Sequence, residues 1–299
     1  MLIGIFLSLG AGFLSAVGYV AVKHGLESTD YRVFIVLSLF IGVAISAALL
    51  WTIGTGLGGL GLKSTLPFIA TGGLGGGLLA RVSITRATNE IGASKTHAFT
   101  SVSPLVTTLF GVLFLGEQVG FQLGVGTGIV VVGATYLSFI AYREDSQEPE
   151  DSPSGEINWA LGLGLAFYGM VMFGFHPVLR KMGVDLGATP LQGAFVRFTT
   201  GFTLYLAYLL LTGGDLSLKV DRNIWKYFLA GVAWALSPIF AIYAIEYVSP
   251  VVFASLMRVG PLFTVLLTYL FLTGIEEIDW RIGLNAAVIV IGAIVVSTS

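Results

Sequence analysis

Residues 143–157 read REDSQEPEDSPSGEI, the one long polar stretch in a chain that is otherwise apolar. It is acidic, carries Pro, Ser and Gly and shows no apolar period, which is linker composition. Five apolar stretches precede it (2–22, 33–53, 66–88, 94–115 and 121–141), and five follow it (159–179, 191–211, 224–245, 250–272 and 282–296). A helix needs about 20 mainly apolar residues to cross the hydrocarbon core, so each stretch can be one span. Barrel strands would alternate apolar and polar residues. Runs such as 128–132 and 287–296 are apolar on every side, so helices are expected. No Lys or Arg precedes Leu2, whereas a cleavable signal has a basic leading region; the first stretch is expected to be a retained helix.

Composition agrees with this reading. Of 299 residues, 55% are hydrophobic and only 11% are charged, less than half of the roughly 25% of soluble domains. Mean hydropathy is +0.89. The 40 glycines suit closely packed membrane helices. With no Cys, a disulfide scaffold and a Cys-ligated metal site are excluded. Fifteen Lys and Arg against seventeen Asp and Glu leave a net charge of −2, with no basic surplus for nucleic acid. The expectation is an all-α integral membrane protein without metal or cofactor. Its partners would be the bilayer and a small-molecule substrate, and it would be a monomer or weak dimer.

The two halves repeat each other at a shift of 157 to 159 residues. Lys23–Gly25 falls on Lys181–Gly183, Gly42 on Gly201, Ala87 on Ala244 and Pro104 on Pro261. Residues 113–115 (LFL) fall on 270–272 (LFL); beyond a two-residue insertion, Glu117 falls on Glu276, Gly124 on Gly283 and Gly133 on Gly292. Single matches are weak, but their order over five helices is not. An odd number of helices per half makes the second start on the opposite side of the membrane. That predicts ten helices in two inverted repeats, an architecture used by secondary transporters with a substrate site near the midplane. The boundaries are 1–142 for the first repeat, 143–157 for the linker and 158–299 for the second repeat.

The run Ala87…Ile91-Gly92-Ala93…Ser103-Pro104-Leu105…Phe114-Leu115-Gly116-Glu117, followed by Gly124…Gly133, returns as Ala244…Val248-Ser249…Gly260-Pro261-Leu262…Leu272…Glu276. This pattern resembles the drug/metabolite transporter superfamily in its ten-helix form with two EamA domains, over essentially the whole chain. The resemblance implies a carrier in the cell membrane, both termini cytoplasmic, with a central cavity between the halves. That superfamily moves amino acids, metabolites, sugar phosphates, nucleotide sugars and drugs, so membership selects no substrate. Arg197 looks like the intramembrane Arg of the second helix of a repeat; the first half has Ser38 or Leu39 there. Lys and Arg run against the implied orientation. Odd loops, counted together with the end of the third helix, hold ten and even loops three (Lys63, Arg180 and Lys181), which by the positive-inside rule would put both termini outside.

Arg81, Arg197 and Arg258 fall well inside predicted helices. A central Arg costs about 2.5–3.5 kcal/mol on insertion scales and faces a cavity or a partner. Arg258, roughly 5 Å along the axis from the middle of its helix, has two readings: it ties helices together through carbonyls, or it coordinates an anion. It also falls where sugar-phosphate members resembling this chain carry a basic residue, with Met257 in place of their adjacent Lys. Arg197 sits near enough to a helix start to snorkel, and its recurrence in the family implies a structural role. By repeat matching, Ser101 is the mate of Arg258, and His97 lies one turn earlier on the same face. Tyr19, Arg81, His176 and Trp234 fall at comparable depths, and with these would line a vestibule. Each has a plainer reading: headgroup contact for His97, snorkelling for Arg81, helix packing for Tyr19 and Trp234.

No acidic residue lies at the centre of a predicted helix, which disfavours a proton-coupled cation exporter, since that needs a membrane carboxylate. His97 or His176 would be the titrating group if protons are coupled. The runs at Gly72–Gly77 and Gly124–Gly128 lie inside apolar helices, so close packing is expected and not phosphate cradling. Pro104, Pro177, Pro238 and Pro261 free carbonyls in or near helix interiors, and Pro104 and Pro261 are the expected gating points. The reading is a carrier of a small polar or anionic metabolite working by alternating access. The alternatives are an exporter of amphiphilic or aromatic compounds relying on Trp234, Tyr19 and Phe175, or a membrane enzyme or receptor. The three histidines stand in no hydrolase spacing.

Overall fold

The computed structural model describes residues 1–25, 31–53, 56–75, 78–91, 96, 99–145, 159–213, 224–271 and 280–298. The described chain is helical, with no strand among these residues. Its helices are α1 (Leu2–Gly25), α2 (Tyr31–Ile53), α3 (Leu62–Gly73), α4 (Leu79–Ile91), α5 (Ser103–Leu115) and α6 (Phe121–Asp145) before the linker. After it come α7 (Trp159–Asp185), α8 (Pro190–Leu211), α9 (Ile224–Tyr247), α10 (Pro250–Met257), α11 (Gly260–Phe271) and α12 (Trp280–Ser297). Among the described residues four segments are long and apolar enough to cross a membrane: Ile35–Ile53, Trp159–Asp185, Pro190–Leu211 and Phe228–Tyr247. The outer face carries Phe6, Leu113, Phe121, Val132 and Leu211 well exposed, a surface that only lipid would leave unpenalised.

Three spans depart from the continuous helices the sequence predicts. The 66–88 stretch is two helices, α3 and α4, with Leu74, Gly75 and Leu78 outside both. The carbonyl of Leu74 is there released from helical bonding; it accepts from the Ala80 amide at 3.2 Å and from the Tyr168 hydroxyl at 3.2 Å. The 250–272 stretch is α10 and α11, parted at Arg258 and Val259. The 94–115 stretch tightens at Val102, just before α5. The last two breaks match bond for bond at a shift of 157 residues. Val102 donates to Phe99 and Leu105 to Val102, as Val259 donates to Leu256 and Leu262 to Val259, all i→i−3 bonds of 3.0–3.1 Å. These are 3₁₀ turns, which change helical phase inside a span.

Elsewhere the helices outrun their expected ends. Helix α7 continues to Asp185 and α6 to Asp145, so the first three residues of the polar stretch are helical. The rest of that stretch, and Glu276, lie outside the described residues. Helix α8 starts where Thr189-Pro190-Leu191-Gln192 makes a capping box with Pro in the first turn.

Most packing joins one half to the other. Helix α1 lies along α9, and correspondingly α7 lies along α3 and α4; α2 packs on α8, α6 on α12, and α5 on α7 as α10 and α11 pack on α1. In lipid there is little hydrophobic drive between helices, so close approach at small residues carries association. A Cβ on Gly133 would stand 2.6 Å from Ile289, and one on Gly292 2.8 Å from Val130. The two contacts are mates under the repeat. Polar pairs reinforce the seams: Asn285 donates to the Gly133 carbonyl at 2.8 Å, Thr107 to Gly174 at 2.7 Å, Ser237 to Ala11 at 2.8 Å, and Thr127 pairs with Ser255 at 3.0 Å. Such bonds average about 0.6 kcal/mol in membrane proteins.

Candidate functional site: buried cations between the halves

Arg81 begins α4 just past the α3–α4 break, and its guanidinium carbon stands 5.2 Å from the centre of the Trp234 ring on α9. Trp234 is fixed on its other sides. Its Nε1 donates to the Ser15 carbonyl at 3.3 Å, and its ring fills the place of a Cβ on Gly18, which would come within 2.0 Å. His176 and Arg180 are four residues apart on α7 and so share a face. The imidazole of His176 rests on Gly75 in the break, where a Cβ would meet Nε2 at 1.3 Å; only glycine admits the ring. Arg197 stands on α8 with its guanidinium 4.9 Å from the Phe198 ring centre. Behind it, the Arg197 carbonyl lies 2.6 Å from where a Cβ on Gly72 would be, so α3 and α8 approach closely.

His176, Arg180 and Arg197 are 5%, 7% and 6% exposed. Arg197 interacts electrostatically with Arg180 and Arg81, and His176 with Arg180 and Arg197, so these four form one cluster. Arg81 Nη1, Arg180 Nε, and Arg197 Nε and Nη1 are buried without a hydrogen-bond partner. Among the described residues none of the three arginines makes an ion pair; Lys181 with Asp185, at 2.6 Å and exposed, lies one position further along α7. At about 2.5–3.5 kcal/mol per central Arg, such a group is expensive unless something neutralises it.

Two expectations change here. Arg180 is no loop residue, because α7 runs six residues beyond Leu179. Arg197 does not snorkel; it is buried. Arg258, at the α10–α11 break, donates through Nη2 to Ser103 Oγ, at the start of α5 in the other half. Ser101, matched to Arg258 through the repeat, is buried at 4% exposure, but the hydroxyl that receives this nitrogen belongs to Ser103. The Ser103 carbonyl lies 2.7 Å from where a Cβ on Gly174 would be, two residues from His176 along α7. The Arg258 contact and the cation cluster therefore adjoin the same part of α7. His97 and the side chain of Tyr19 lie outside the described residues.

Comparison with known proteins decides the family. The model of the EamA-like transporter family matches residues 2–139 and again residues 160–298. The chain belongs to the EamA-like transporter family. It is an integral membrane protein of the drug/metabolite transporter superfamily, and that family is one of transporters and not of enzymes. No curated protein matches the sequence. A solved structure described only as "Crystal structure of protein" is similar with a TM-score of 0.80 at 16% identity, over 99% of this chain and 96% of that one. At that identity the likeness concerns the fold.

In this EamA-like transporter the Leu115-Gly116-Glu117 sequence has a local structural role that the residues alone did not disclose. Gly116 caps α5 in the left-handed conformation (φ 65°), which favours glycine, and the Glu117 amide returns to the Gly111 carbonyl at 3.2 Å. The Glu117 carboxylate thereby accepts from the Val251 amide in the first turn of α10, in the other half. A negative group there satisfies a free N–H and suits the helix dipole. Ser249 caps the same turn, accepting from Val252 at 3.3 Å. Glu117 Oε2 is buried without a partner, 2.8 Å from where Gly111 would carry a Cβ.

The prolines divide into two kinds. Pro177 and Pro238 are inside α7 and α9. Pro104 and Pro261 instead occupy the first turns of α5 and α11, where no amide is needed, so it is the adjoining 3₁₀ turns that loosen these spans. In the glycine run, Gly72 and Gly73 pack on α8 as expected, against Thr200 and Leu204, while Gly75 stands in the break.

Proposed function

We propose that this protein is a secondary transporter carrying a small polar or anionic metabolite across the cell membrane by alternating access. In this reading ten membrane spans form two inverted repeats, 1–142 and 158–299, joined by the acidic linker 143–157, with the substrate cavity between them. The observation that carries it is the pair of matching breaks at Val102 and Arg258–Val259, bridged by the Arg258 to Ser103 bond. Two spans related by the repeat soften at equivalent depths, and a guanidinium joins the halves there. A rocking exchange between two mirror-related states needs softening at equivalent places.

Arg258 is the residue we assign to the anionic group of the substrate, through paired hydrogen bonds that suit carboxylate and phosphate alike. His97, Ser101, Arg81, Tyr19, His176 and Trp234 complete the lining, and Pro104 and Pro261 mark the gates. Reconstituted protein is expected to exchange a labelled anionic metabolite across vesicles, with Arg258→Gln inserted but inactive. Transport restricted to cations would refute the anion assignment.

A further inference from the structure

Arg180 reads from the sequence as a loop residue, yet it is buried and interacts with the equally buried Arg197. Three guanidiniums come from α4, α7 and α8, and that of Arg197 interacts with both Arg81 and Arg180. Four of their nitrogens are buried without a hydrogen-bond partner. Two of the three side chains are more than nine-tenths buried. A guanidinium stays protonated in proteins, so burial does not remove these charges.

We propose that Arg81, Arg180 and Arg197 join Arg258 in binding the transported substrate, a doubly charged oxyanion of the phosphate monoester or dicarboxylate type. This rests on the anion-carrier reading and narrows it. One carboxylate neutralises a single cation and can accept from one guanidinium fork; the others would stay uncompensated in low dielectric, where unpaired charge is costly. A dianion brings a second charge and enough acceptor oxygens for all four unpartnered nitrogens. The α3–α4 break adds to the fit, because Gly75 lets His176 close against the backbone beside these arginines. Broken helices lining a substrate site are the usual place for irregular backbone at membrane depth. Trp234, lying on Arg81, limits where that guanidinium can swing.

The experiment uses the full-length protein in detergent at pH 8, with inorganic phosphate, succinate and acetate as probes at equal ionic strength. Phosphate, succinate or both should raise the melting temperature by several degrees, and acetate should leave it unchanged, because a ligand bound only to the folded state stabilises it. A response to phosphate alone selects the monoester type, and one to succinate alone the dicarboxylate type. Arg180→Gln should weaken the effective probe at least tenfold in calorimetry, and Arg180→Lys should recover part of it. Acetate acting as strongly as the dianions overturns the proposal, as does unchanged dianion binding by folded Arg180→Gln. The acetate comparison needs no variant and decides the matter even where Arg180→Gln does not fold. Monoanion exchange by vesicles without any dianion response would leave the carrier reading standing and sink this one. Absence of exchange for every anion would sink both.

Discussion

The guanidinium of Arg81 lies over the indole of Trp234, joining α4 of the first half to α9 of the second at 5.2 Å. A desolvated cation–π contact is worth about 2 kcal/mol, and here it also aims the guanidinium. Trp234→Ala is expected to weaken anion binding by about tenfold, equivalent to about 1.4 kcal/mol. Trp234→Phe keeps a ring face and loses the bond to Ser15, so it should bind nearly as wild type. Calorimetry on both variants checks this; equal loss in both would mean that the indole N–H, not the face, is what matters.

Gly75 and His176 form a lock that a single methyl breaks. Gly75→Ala places carbon 1.3 Å from Nε2 of His176, so the ring must leave. Overpacking of this kind costs typically about 1–3 kcal/mol. The melting temperature of Gly75→Ala should fall, and that of the Gly75→Ala/His176→Ala double variant should lie above the value expected from adding the two single effects. Strict additivity in this cycle would show that the two sites do not touch.

Glu117, in the turn after α5, carries a pH signature. Burial pushes its carboxyl above the ordinary value of 4.5, while the Val251 amide and then Lys181 pull it back. A raised carboxyl favours the folded state while protonated. That contribution is complete below 4.5 and disappears as pH rises through the raised value. Glu117→Gln keeps an acceptor for the Val251 amide without the charge. Its melting temperature should therefore fall less than that of wild type between pH 4 and pH 7. Parallel profiles would remove Glu117 from the account of stability.

Pro261 sits in the first turn of α11, beside the 3₁₀ turn at Arg258–Val259. No amide is needed at Pro261 while α11 starts there, but Pro261→Ala supplies the donor that a helix continuous from α10 to α11 would use, and so favours closing the 3₁₀ turn. Exchange across vesicles should slow several-fold while binding measured by calorimetry is retained. Equal loss of both would indicate misfolding instead of a stiffened gate.

Much of the architecture could be read from the residues, because hydrophobic length and charge depletion are one-dimensional properties. The helical membrane class, the two matching halves and the close packing at Gly72 and Gly73 were all accessible that way. The breaks were not. Val102 and Val259 are ordinary helix-compatible residues, and their 3₁₀ turns depend on what packs around them. Each turn also shifts helical phase, so counting i and i+4 from Ser101 did not reach Ser103, the hydroxyl that meets Arg258. Repeat matching pairs residues by their place in the sequence, whereas contact requires proximity. Arg180 was hidden for another reason: with Lys181 and Asp185 it reads as a helix end, and only the continuation of α7 buries it. The anchoring of α10 by Glu117 joins residues 134 positions apart, beyond any local pattern.

Counterflow in proteoliposomes tests alternating access of an anionic substrate most directly. Vesicles loaded with an unlabelled anion that binds the protein should take up the labelled anion faster than empty vesicles, and Arg258→Gln, inserted to the same level, should abolish the acceleration. Uptake indifferent to the internal anion, or full counterflow by Arg258→Gln, would contradict the account.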